Sequence, residues 1–250
     1  MSQKEKTKGN KQKIIHICII IAIIVVILAV AGIIILRYQV EGETNLPFTL
    51  KNLIIVSSAE GYENANPMAK WDLTIDQTND VYLSIEKNSN YKKSETIKNV
   101  TIENIHVEDT QNNINMAIYR PADSGLYKKE DSYKVDGSLT YKGSKETNLN
   151  NLEIANQGGV VLFRMANQNV ASYQSNEGEE LTHDGTLFVK TETPLESMQA
   201  TLAFDLIIET GSGVKYKATI KEQIPVGNIL GEGTCTFEKT DFSDLIFKRV

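Results

Sequence analysis

Residues 14–36 are 23 consecutive positions without a formal charge, made mostly of Ile, Val, Leu and Ala. A hydrocarbon layer about 30 Å thick takes roughly 20 apolar residues of α-helix at 1.5 Å per residue. In lipid a helix satisfies its own backbone donors and acceptors, which an irregular segment of this composition cannot do. The stretch is therefore predicted to be a transmembrane helix, and it divides the chain unequally. Residues 1–13 form a short basic tail, 37–47 a juxtamembrane stalk and 48–250 a large polar remainder.

Charge sets the direction of crossing. The tail carries five lysines against Glu5, a net +4, whereas everything after Arg37 carries 20 basic and 31 acidic residues, a net −11. Lysines beside a span favour the cytoplasmic side, so the N-terminus is predicted inside and residues 38–250 outside. Arg37 and Tyr38 suit headgroup depth. The small residues Ala29-Val30-Ala31-Gly32 are those of a signal-peptidase site, but Ile33-Ile34-Ile35-Leu36 continue the apolar run. An uncleaved signal anchor is expected. The span holds a single Gly32 and no small-xxx-small face, which suits an anchor more than a helix dimer. The predicted location is the cell membrane, single-pass, with an extracytoplasmic domain.

Beyond the stalk the hydrophobic period is two. Trp71, Leu73 and Ile75 alternate with polar residues, as do Val81, Leu83 and Ile85, and Gln77-Thr78-Asn79-Asp80 between them reads as a hairpin turn. Leu202, Phe204, Leu206 and Ile208 form one face of a strand that turns at Gly211-Ser212-Gly213 and returns through Val214, Tyr216, Ala218 and Ile220. Further strands are predicted at 49–57, 97–107, 116–119, 137–141, 149–154, 159–165, 170–173 and 234–237. Within 97–107 the phase slips, which places a bulge at Glu103-Asn104. Thr193 reads as the N-cap of a single helical turn with Pro194 at its first position. The pattern predicts a mainly β fold, an antiparallel β-sandwich of immunoglobulin-like or jelly-roll-like type. No Pro- or Gly-rich linker divides 48–250, so one domain is expected.

Tyr38-Gln39-Val40-Glu41-Gly42-Glu43, the segment from Asn156 to Arg164 and Ile224-Pro225-Val226-Gly227, together with the anchor, resemble a group of single-pass membrane-anchored proteins of Gram-positive bacteria. No activity is attached to that group. The resemblance implies bacterial origin and the topology above, and it carries over no functional residue.

Chemistry is sparsely signalled. A hydrolytic nucleophile usually needs a neighbouring base such as His, and only His106 and His183 stand outside the apolar span. His106 alternates off the apolar face of its strand. His183 lies in the acidic stretch Glu177-Gly178-Glu179-Glu180-Leu181-Thr182-His183-Asp184, where a solvated turn is the simpler reading and a divalent-cation site the sharper one. Residues 76–80 offer oxygen ligands but lack the Gly of a calcium loop. Cys18 and Cys235 cannot meet, so no disulfide is expected within the exported part, although an exposed Cys235 could link two copies. Tyr82, Tyr91, Tyr119, Tyr127, Tyr133, Tyr141 and Tyr173 could stack on a ligand if exposed, or pair across strands. No catalytic, cofactor-binding or metal residue is assigned. The expected role is a non-enzymatic binding or assembly module of the cell envelope. Its partners are the membrane through residues 14–36 and an envelope protein or a glycan, with no nucleic acid. The alternative is a cell-wall glycan-acting enzyme with a carboxylate pair that the sequence does not locate.

Overall fold

The structure, a computed structural model, describes residues 3–39, 46–108, 114–121, 129–178 and 180–250. Most of the polar stalk after Gln39, Tyr127, and Glu179 of the acidic run lie outside the described residues. The first element is α1, Gln3–Gln39, which runs through the basic tail as well as the apolar stretch. Its window His16–Ile34 has a mean hydropathy of 3.6, and 0% of it is buried against the rest of the chain. The helix is long and apolar enough to cross a membrane.

Among the described residues eleven strands follow, in two sheets. The first sheet contains β1 (Phe48–Glu63), β2 (Trp71–Lys87), β4 (Met116–Tyr119), β7 (Gly158–Ser175) and β10 (Thr234–Lys239), in the order β10-β1-β2-β7-β4 and antiparallel throughout. The second contains β3 (Ile97–Glu108), β5 (Ser138–Ser144), β6 (Glu153–Ala155), β8 (Thr201–Thr210), β9 (Lys215–Gln223) and β11 (Lys248–Arg249), in the order β11-β9-β8-β3-β5-β6. Among the described residues only β5 and β6 pair in parallel. Both sheets turn their alternating apolar faces to one shared core. Phe163 of β7 meets Phe204 of β8 edge-to-face at 5.3 Å. The buried Tyr141 hydroxyl, from β5, donates to the Leu162 carbonyl of β7 at 2.7 Å, a direct tie between the sheets. Tyr141→Phe leaves that carbonyl without its donor. A loss of about 1–3 kcal/mol is expected, read as a lower melting temperature of the full chain in detergent.

The predicted β8–β9 hairpin is present, with Leu206 opposite Ala218 and Glu209 opposite Lys215. The slip in β3 is also a bulge, between Glu103 and His106, with Asn104 at φ 53°. Asp205 anchors it. That carboxylate accepts from Asn104 Nδ2 at 2.6 Å and from Thr219 Oγ1 at 2.6 Å, with Lys217 Nζ at 2.8 Å. Burial works against its charge, but Lys217, Thr219 and Asn104 outweigh burial and hold the carboxyl below its usual value of 3.8. A depressed folded-state value stabilises the fold above the unfolded value, and this is lost as pH falls through the folded one. Melting temperature should therefore fall as pH drops from about 4 toward 2, and Asp205→Asn should reduce that fall while costing stability at neutral pH.

Four sequence readings are corrected. Gln77-Thr78-Asn79-Asp80 is not a turn: β2 runs unbroken from Trp71 to Lys87, and the hairpin from β1 turns at residues 64–70. Positions 73 to 85 keep one phase, and buried Gln77 and Asn79 satisfy their polar groups within the fold. The segments 159–165 and 170–173 are one strand, β7, bent where Ile75 pairs with Ala171 but Gln77 with Asn167, with Asn169 at φ 57° in the bulge. Residues 149–151 are a single 3₁₀ turn, and only Glu153–Ala155 is strand, because Leu152 adopts a left-handed backbone at φ 54°. At the other turn the cap is Pro194, one residue later than predicted, before a 3₁₀ turn at Leu195–Ser197. Gly158 opens β7 at φ 122°, where a Cβ would stand 2.6 Å from the Ile85 carbonyl oxygen, so this position tolerates no side chain.

Candidate binding groove and a buried ion cluster

Three polar constellations emerge once the strands are paired. The first lies inside. Asn79 Oδ1 accepts from the Ser57 hydroxyl, Asn79 Nδ2 donates to the Met165 carbonyl at 3.2 Å, and Gln77 Nε2 donates to the Met198 carbonyl at 3.1 Å. Asn167 Nδ2 donates to Gln77 Oε1 at 3.3 Å. This row crosses three adjacent strands, β1, β2 and β7, and its members satisfy one another, as buried polar groups must.

The second lies on the opposite face of the same sheet. Arg164 of β7 reaches Asp80 of β2 through two bonds, Nε to Oδ1 at 2.6 Å and Nη2 to Oδ2 at 3.0 Å, and also pairs with Glu60 of β1. Burial opposes the Arg164 charge, yet Asp80 and Glu60 outweigh it and raise its proton affinity above the ordinary guanidinium value. The Tyr62 hydroxyl donates to Glu60, and burial followed by that carboxylate raises its pKa. Beside them Asp76, 1% exposed, accepts the Asn169 backbone N–H at 2.9 Å. Its Oδ2 has no well-angled hydrogen bond but has Lys129 Nζ at 2.6 Å, and that ammonium lies 4.1 Å from the Tyr62 ring centroid. The bulge at Asn169 is what brings a backbone donor to Asp76. The void among these groups is about 10 Å³. That is at the limit for one water, and the cluster ties the strands and the residue-129 segment together.

The third is open. A groove of about 860 Å³ runs between the end of the β8–β9 hairpin, the crossing 224–227 and Phe237 of β10. That volume lies in the range of ligand-binding clefts, about 300–1,000 Å³. Its apolar wall is Ile224, Pro225, Val226 and Phe237, and its polar wall includes Glu196, Gln199, Glu222 and Gln223. Lys239 Nζ sits 2.7 Å from Glu222 Oε1 and joins the two sheets across this side. The hydrogen bond to Glu222 raises the ammonium's pKa. Phe237 is opposite Ile55, seven residues after Phe48, where β1 begins. At about 3.4 Å per residue, the groove lies roughly 25 Å along the strands from the end attached to α1.

The residues singled out in the sequence are scattered. His106 is exposed, with Nδ1 2.6 Å from the Asn104 carbonyl oxygen. His183 is exposed and meets Trp71 edge-to-face at 6.2 Å. Among the described residues no three His, Cys, Asp or Glu side chains gather as metal ligands. Among the described tyrosines singled out above none is fully exposed: Tyr119 and Tyr141 are buried, and Tyr82, Tyr91, Tyr133 and Tyr173 are half-buried. Cys235 is a free thiol, half-buried on β10. Sequence reasoning missed the Arg164 cluster and the groove. The available signal for the first was a lone Arg inside the apolar run 158–166. The second is assembled from residues far apart in the chain and had none.

The class that fold and site define is a mainly β chain of two sheets on one core, preceded by an apolar helix, with an open groove among the described residues. Compared with models of protein families, with curated proteins and with solved structures, the chain gives no match.

Proposed function

We propose that this chain is a membrane-tethered, extracytoplasmic binding module of a bacterial cell envelope, and that the groove beside β10 is where it takes its partner. Residues 14–36 cross the lipid, the lysine tail stays inside, and a β-sandwich stands outside. An apolar helix with half or more of most of its large side chains exposed needs a cover, and lipid is the cover that its length and uniform composition fit. The observation that carries the binding reading is the groove itself, a cleft of ligand size.

Its chemistry favours binding over catalysis. Glu196 and Glu222 are the carboxylates lining it, and Glu222 is taken up by Lys239. A glycosidase needs two carboxyl groups flanking the scissile bond, both free to act. A photo-crosslinking residue placed at Gln199 or Gly227, both exposed, tests the reading in living cells. Defined adducts are expected from these positions and none from exposed Asn150 on the far side of the second sheet. Equal labelling from all three positions would contradict it.

A further inference from the structure

We infer that the groove's occupant is an extended, basic polypeptide segment of a partner protein, added as an extra strand along the free edge of β10. This rests on the groove being the binding site and specifies its ligand class. Exposed strand edges are templates for pairing, and folded proteins usually blunt them. Among the described residues the outermost strands other than β10 are covered or very short. β4 is covered by the chain that follows it, through Arg120 N–H to the Tyr133 carbonyl at 2.9 Å and Val135 N–H to the Ile118 carbonyl at 2.8 Å. β6 has three residues and β11 two, and β11 covers β9 only at Tyr216 and Lys217, which leaves the groove end of β9 as the other unpaired stretch.

β10 is different. Its six residues pair with β1 in unbroken register from Thr234 to Lys239, without a proline or a bulge. Among the described residues no strand pairs with its other side. At about 3.4 Å per residue it offers roughly 20 Å of open ladder. β-Strand addition takes affinity from such main-chain bonds and specificity from pockets for alternate side chains. Phe237, Ile224 and Val226 supply an apolar wall beside the edge. Charge selects among extended chains. Glu196 is exposed in the groove, Glu238 lies on the other face of β10, where it accepts from Asn52 Nδ2 at 2.7 Å, and the nearby cation Lys239 is held by Glu222. Residues 38–250 as a whole are acidic too, at −11. An anionic chain is disfavoured and one carrying Lys or Arg is favoured.

The test uses the full chain in nanodiscs and a phage-displayed library of random dodecapeptides, followed by a synthetic copy of an enriched sequence. Enriched peptides should alternate apolar and polar residues and carry Lys or Arg. Bound peptide should slow amide exchange at alternate residues of 234–239 at least about tenfold, and Glu196→Lys should weaken binding about tenfold with the circular dichroism spectrum of the β fold retained. Binding that leaves 234–239 unprotected overturns the inference, as does binding indifferent to Glu196→Lys. A soluble cell-wall glycan fragment is the second probe. If it protects 222–227 and no peptide is enriched, the groove is a binding site but its occupant is not a strand. If neither probe protects either segment, both the inference and the groove reading fall.

Discussion

Arg164→Met lowers stability by about 3–5 kcal/mol, the range for removing one partner of a buried ion pair. The guanidinium's side chain is 12% exposed and holds Asp80, 19% exposed, together with Glu60. Taking it away leaves two neighbouring carboxylates, partly desolvated, with Lys129 committed to Asp76. For a domain of this size each kcal/mol moves the melting temperature by about 2–4 °C, so a drop of roughly 6–20 °C is expected. The triple change Glu60→Gln, Asp80→Asn, Arg164→Met should recover much of the loss, because no charge is then stranded. A drop under about 2 °C for Arg164→Met would mean the cluster is hydrated and carries little of the fold.

Phe204→Ala tests the contact between the sheets. Phe204 is 1% exposed, lies opposite Ile220 on the β8–β9 hairpin and touches Phe163 across the core. Truncating a buried Phe costs about 3–5 kcal/mol through lost burial and the cavity left behind. The melting transition should fall as far as for Arg164→Met but respond differently to repair. Charge neutralisation around residue 164 should not rescue it, since the two sites share no partner and distant losses add.

The sequence disclosed what depends on local alternation. The β8–β9 hairpin has an apolar face, a Gly-Ser-Gly turn and a lysine face, and three short-range signals agree. The bulge in β3 was legible because a slip of phase moves side chains to the other face. β2 was misread because Gln77 and Asn79 are polar at core positions, and what makes them tolerable lies on other strands, at Ser57 and Asn167. Polar residues between two apolar runs look like a turn until the neighbouring strands are known. The same limit hid the groove, whose walls come from residues 196–201, 222–227 and 237. The Arg164 cluster joins residues 60, 80 and 164, separations that no local pattern reports.

The most direct measurement of the account is the side of the membrane on which the β domain stands. Met68, 84% exposed in the β1–β2 turn, can be replaced by Cys in a chain also carrying Cys235→Ser. Wall-free cells expressing it are treated with a thiol reagent that does not cross lipid. The account predicts labelling of the M68C, C235S chain in intact cells to the same extent as after permeabilisation, with the protein remaining in the membrane fraction. Labelling only after permeabilisation, or recovery of the full-length chain in the soluble fraction, would contradict it.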